Sequence, residues 1–197
     1  MTPAGLRRTA ELSAERDAVN GPESFTPWER CITRGFPAVM LPSAYNNNLQ
    51  IVQTSNHVAI VTEMIHEARI VPIADRAATR PGPRAWMGRS VGHWEGDTLV
   101  VDTTNFRGQA DFMGLFNRFF GDGNHLRITE RFTMTDLRTI DYRLTIDEPT
   151  TWTQPWTLAI PLVRTDEPMY EYACHEGNYN LTNMLSFARS KDTVRRR

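Results

Sequence analysis

The hydrophobic positions follow a different period in each of three regions of the chain. Over 5–19, Leu6, Ala10 and Ala14 recur at helical spacing among charged residues, predicting a helix with a narrow apolar stripe, packed on the outside and stopped by Asn20-Gly21-Pro22. Residues 22–49 carry Pro22, Pro27, Pro37 and Pro42 and the polar Asn46-Asn47-Asn48, which forbids a long helix and predicts an irregular, extended wrap. From residue 50 the period becomes two. Residues 51–54 and 58–64 flank Ser55-Asn56-His57 as a hairpin, and 68–73 follow as a third strand ended by Pro72 and the loop 74–85. Residues 88–94 and 98–105 flank Glu95-Gly96-Asp97, where glycine suits a tight turn, and 126–134 and 139–146 flank Asp136-Leu137-Arg138. The last expected pair is 153–163 with 169–176, around Thr165-Asp166-Glu167-Pro168.

This is an antiparallel meander of about nine strands, which either closes into an up-and-down barrel or splits into two facing sheets, because open edges invite further pairing. The favoured reading is all-β: a lipocalin-like (calycin-type) barrel of about 8–9 strands, with room for one small ligand and short flanking helices. It is one domain, with 1–49 as helix and wrap, 50–178 as barrel, and 179–197 as a short helix and tail in which Leu181, Met184, Leu185 and Ala188 recur at helical spacing. The segment 106–124, dense in aromatics and glycine, breaks the strand pattern and reads as a lid, with Phe112 and Phe116 as ligand contacts, or as a flap that plugs the barrel or meets a second copy in a homodimer.

At 197 residues and 40% apolar, the chain can bury a sizeable core. A formal charge of −1, with no basic face apart from Arg195-Arg196-Arg197, gives no footprint for nucleic acid or anionic lipid, and no apolar run is long enough to span a membrane. The single lysine, Lys191, lies in the polar tail, which argues against Schiff-base chemistry. Cys31 and Cys174 form no Cys-x-x-Cys; they either pair, implying an oxidising compartment, or remain two buried thiols.

Candidate chemistry concentrates in Tyr-Glu-Tyr-Ala-Cys-His-Glu-Gly-Asn-Tyr (170–179), read as a wall of a small-molecule site. Alternation puts Glu171, Ala173 and His175 on one face and Tyr170, Tyr172 and Cys174 on the other. With the first face inward, His175 is a general acid or base oriented by Glu171, and Tyr172 or His93 donates to developing negative charge. With the second inward, phenols and a thiol make a stacking surface. In Gly92-His93-Trp94-Glu95-Gly96-Asp97, His93 and Glu95 share a face, as do Trp94 and Trp86, which join Asn105 and Arg69 as ligand-binding candidates; the cluster is half of a cupin-type metal motif without its second imidazole. Asp102, between Val101 and Thr103, either bridges to an interior arginine or is catalytic. Glu63, His66, Glu130, Arg131, Asp141, Tyr142 and Arg143 are expected mostly on the wet face of their strands.

Gly-His-Trp-Glu-Gly-Asp-Thr-Leu-Val-Val-Asp-Thr (92–103) and the 170–179 segment, with Trp28-Glu29-Arg30-Cys31 and residues 147–153, resemble the signatures of a large group of uncharacterised bacterial proteins. Members often carry an export signal, so the resemblance leaves open a cytoplasmic, periplasmic or secreted location and implies no reaction. From the residues, the leading expectation is a cofactor-independent acid/base lyase or isomerase for a small oxygenated, partly aromatic molecule. The alternatives are a non-catalytic carrier of a small hydrophobic ligand and a metal-dependent cupin-like enzyme. They are separable: a carrier has an apolar cavity with the histidines outside it.

Overall fold

A computed structural model describes residues 1–17, 21–74, 82–107, 111–113, 118–120 and 123–195. The first helix, α1 (Pro3–Asp17), begins two residues earlier than its apolar stripe implies, because Thr2 caps it: its hydroxyl accepts the Gly5 N–H at 3.0 Å, and Pro3 follows with its φ already helical. The helix docks by its start on the loop 148–151, where Thr2 N–H donates to the Thr151 carbonyl at 2.8 Å and Arg8 reaches the Thr150 and Thr151 hydroxyls. After the irregular wrap come the strands β1 (Leu49–Gln53), β2 (His57–Thr62) and β3 (Ala68–Pro72), an antiparallel sheet in that order. The wrap and these strands fall where the periodicity puts them.

The strands β4 (Arg89–Glu95) and β5 (Thr98–Thr104) turn at Gly96, whose φ of 59° explains the glycine there. Two short strands, β6 (Asp111–Met113) and β7 (Arg118–Phe120), pair within the expected lid, with Phe112 opposite Phe119. Phe116 lies outside the described residues. The strands β8 (Arg127–Asp136), β9 (Thr139–Asp147) and β10 (Trp156–Val163) complete a five-stranded sheet in the order β10-β9-β8-β5-β4. The chain ends in α2 (Asn180–Arg195). Among the described residues no helix is long and apolar enough to cross a membrane.

The two sheets adjoin where β3 runs past β4: Ile73 bridges Gly92 in parallel, and the Ala74 N–H donates to the Gly92 carbonyl at 2.9 Å. Val58, Ile60 and Val71 from one sheet and Leu99, Val101, Ile128, Phe132, Leu144 and Ile146 from the other fill one core. The architecture is therefore mostly β and barrel-like. No closed barrel is seen among the described residues, where β1 pairs only with β2, and β10 only with β9. Pro161 lies on β10 and has no N–H to extend a ladder, which suits an edge strand.

A second correction concerns 169–176, expected to be the strand after β10. It is a loop. Cys174 is joined to Cys31 of the wrap in a disulfide with the Cα atoms 5.7 Å apart, which ties the segment to the wrap instead of to the sheet edge. Alternation survives as exposure alone, and only over 171–175: Tyr172 and Cys174 turn toward the protein, Glu171, Ala173 and His175 toward water, and Tyr170 is exposed despite sharing the parity of Tyr172.

Candidate binding cleft

On the inner faces of β8, β9 and β3 the polar residues meet in the core rather than in water. Glu130 follows the parity of Ile128 and Phe132 and is fully buried; Arg69 follows that of Val71 and is 5% exposed. One terminal nitrogen of Arg69, Nη2, donates to both Glu130 oxygens at 3.0 and 2.7 Å, and the Tyr142 hydroxyl donates to Oε1 at 2.9 Å. The guanidinium lies 4.1 Å from the centre of the Phe36 ring, itself stacked with Phe106. Burial pushes the Glu130 carboxyl up, with Arg69 and Tyr142 opposing, and pushes the Tyr142 phenol well above its ordinary value. Expectation put Glu130 and Tyr142 on the wet face and Arg69 against a ligand. Both are corrected: Arg69 and Glu130 pair inside the core, and the Tyr142 hydroxyl adds a hydrogen bond to the carboxylate.

An opening lies between the edges of β1 and β10. A cleft of about 570 Å³ is bounded on one side by Leu49 and Ile51 of β1 and by 39–42 of the wrap, and on the other by Ile140 of β9 and 160–163 of β10. Its lining is mostly apolar; Asn47, Asn48, Arg138, Thr139, Arg164 and Thr165 supply the polar groups, with the Arg138 guanidinium donating to the Arg164 carbonyl at 3.0 Å. Ile51 has the inward parity of β1, opposite Ile60, yet is 38% exposed, because no strand covers it. A volume of this size matches a small-molecule pocket.

The residues expected to carry chemistry are not in this cleft. His175 and Glu171 are exposed on the 164–179 loop. His93 stands on the outer face of β4, its Nε2 3.2 Å from Glu95, and Glu95 accepts from Arg131 at 2.8 Å; these two partners hold the exposed Glu95 carboxyl below its ordinary value. Asp102 also faces outward: it is buried beneath Arg127, which donates at 2.9 Å, and accepts from the Thr129 hydroxyl at 2.8 Å. It bridges to an arginine, as expected, but to a surface one. Trp94 is exposed at the β4 end, and Trp86 lies under the Arg107 guanidinium, 4.9 Å away. Asn105 turns the chain after β5 with a φ of 58°, its carbonyl accepting from the Ala85 N–H. Tyr172 lines a separate recess with Trp28, Tyr45 and Asn178.

His57 hydrogen-bonds Asn56 at the first hairpin turn, and His125 is exposed, so neither enters the cleft. Among the described residues no three His, Cys, Asp or Glu side chains gather as metal ligands. The lining residues of β1 and β10 went unselected because each is an ordinary inward apolar position. The available signal was Pro161, which marks β10 as an edge and leaves those positions without a neighbouring strand. Compared with family models, with curated proteins and with solved structures, the chain finds no match in any of the three.

Proposed function

We propose that the protein is a non-catalytic carrier that binds one small, predominantly apolar molecule in the cleft between β1 and β10. The observation that carries this reading is the cleft itself: a mostly apolar opening of about 570 Å³ between the edges of β1 and β10, with His57, His93, His125 and His175 outside its lining. A ligand there covers Ile51, Ile140, Ile160 and Leu162, and each buried methylene contributes about 0.8 kcal/mol. Acid/base catalysis draws no support from the geometry, since His175 and Glu171 are exposed on the 164–179 loop, His93 stands on β4, and none of the three lines the cleft or the Tyr172 recess. The Cys31–Cys174 disulfide supports an oxidising compartment as the place of work.

The test is titration with the neutral apolar dye N-phenyl-1-naphthylamine, whose fluorescence rises on leaving water. Binding with a dissociation constant on the order of 100 μM or tighter is expected for a ligand of that size. Ile160→Asp, which sets a carboxylate into the lining, is expected to weaken binding about tenfold or more while the fold persists. An unresponsive wild type, or an equally good Ile160→Asp variant, refutes the carrier reading.

A further inference from the structure

The cleft between β1 and β10 has a charged end. Among the described residues that line it, the ionisable side chains are two arginines, Arg138 and Arg164, with no carboxylate, imidazole or ammonium beside them. Arg138 belongs to the turn between β8 and β9, and Arg164 follows β10 on the parity of Ile160 and Leu162, so both stand at the same end of the β9–β10 pair. Two hydrogen bonds hold them side by side: the Arg164 N–H donates to the Arg138 carbonyl at 2.7 Å, and the Arg138 guanidinium donates to the Arg164 carbonyl at 3.0 Å. From there the lining turns apolar along both strands, through Ile140 on β9 and Leu162 and Ile160 on β10.

The ion pairs these arginines make are loose. Asp166 lies 3.7 Å from Arg138 Nη1 and 3.7 Å from Arg164 Nε, beyond hydrogen-bond length, and its side chain is 74% exposed. A pair so open to water holds weakly, and Asp166 is not part of the lining. Asp136, the carboxylate of the turn, accepts the Arg138 N–H at 2.8 Å. The charge on the cleft wall itself is therefore positive, and it comes with forked N–H donors of the shape that meets a carboxylate.

We infer that the cleft takes an amphipathic anion, a single apolar chain ended by a carboxylate, with the chain against Ile140, Ile160 and Leu162 and the carboxylate on Arg138 and Arg164. This rests on the carrier reading and names the chemical class of its ligand. A cationic chain meets like charge at that end, and a neutral one leaves the forked donors to water. Because Asp166 already shares part of the positive charge, a monoanion fits better than a phosphate monoester, which carries nearly two charges. From Ile160 to Arg164 the backbone advances about 14 Å, at about 3.4 Å per residue, so a chain of comparable length spans the apolar stretch and reaches the arginines.

The test is an NMR titration of the disulfide-intact protein with decanoate, decan-1-ol and decyltrimethylammonium, following the methyls of Ile140, Ile160 and Leu162 and the Nε–H signals of Arg138 and Arg164. Decanoate is expected to move both sets and to bind about fivefold more tightly than decanol, the scale of one ion pair open to water, with the ammonium weakest. That preference should shrink as salt is added, and Arg164→Gln or Arg138→Gln should erase it. Decanol that shifts the cleft methyls and binds as tightly as decanoate overturns the inference and leaves the carrier reading standing. Decanoate that moves the arginine signals without the methyls also overturns it, as mere surface ion pairing. Methyls unmoved by all three probes remove the carrier reading and this inference together; the comparison among probes is made on the wild type and depends on no variant.

Discussion

Glu130 shows where two simple rules about a side chain conflict. Polarity sends a carboxylate to water, and the parity of Ile128 and Phe132 sends it inward. Parity prevails because Arg69 arrives on the inward parity of β3, and that meeting of residues 61 apart is invisible in a linear reading. A buried pair of this kind adds little over apolar residues of the same volume, but breaking it strands a charge. Glu130→Ala is therefore expected to destabilise the fold by about 3–5 kcal/mol in urea denaturation, and Tyr142→Phe by about 1 kcal/mol, since Glu130 keeps both bonds from Arg69. Nearby, Glu67 is partly buried and accepts the Thr33 hydroxyl; burial raises its pKa above the ordinary 4.5, and Thr33 and Arg69 offset only part of that rise. A raised folded-state pKa gives stability that is complete below the unfolded value and is lost as pH rises through the folded one. Relative to Glu67→Gln, the wild type should lose stability as pH rises above the ordinary 4.5 and through the raised folded-state pKa, as thermal melts at a series of pH values would register.

At the level of elements, hairpins and turns were legible, because each rests on neighbours in sequence. Gly96 at positive φ, the capping of Thr54 by the His57 carbonyl, and the Asp136 carboxylate accepting the Arg138 N–H are all local devices. Residues 169–176 misled because alternation there is real and yet serves a loop whose position is set by a bond 143 residues away. That bond should be worth about 2–5 kcal/mol, mainly by restricting the unfolded chain; replacing both Cys31 and Cys174 by Ser lowers the urea midpoint accordingly. The join between the sheets has its own weak point. A Cβ on Gly92 would stand 2.9 Å from Ile73 Cδ1 and 3.1 Å from Val71 Cγ1, so Gly92→Ala is expected to cost about 1–3 kcal/mol, visible as a lowered melting temperature.

Over the whole molecule, the mostly β class and eight of the nine expected strands follow from periodicity, whereas β6, β7, the loop at 169–176 and the question of closure do not. Closure requires the first and last strands to find each other, and here Pro161 on β10 and the short β1 leave a gap that apolar side chains line without filling. The same gap is where the binding site is proposed. The expected wall, 170–179, is outside it, and the positions proposed to face a ligand are those that would have been plain core in a closed barrel. The most direct test of this account is a methyl-resolved NMR spectrum of the protein titrated with N-phenyl-1-naphthylamine. The account predicts saturable shifts at the methyls of Leu49, Ile51, Ile140, Ile160 and Leu162, with those of Val58, Val101 and Ile128 in the core unmoved. Shifts confined to any other surface, or no shifts at all, would contradict it.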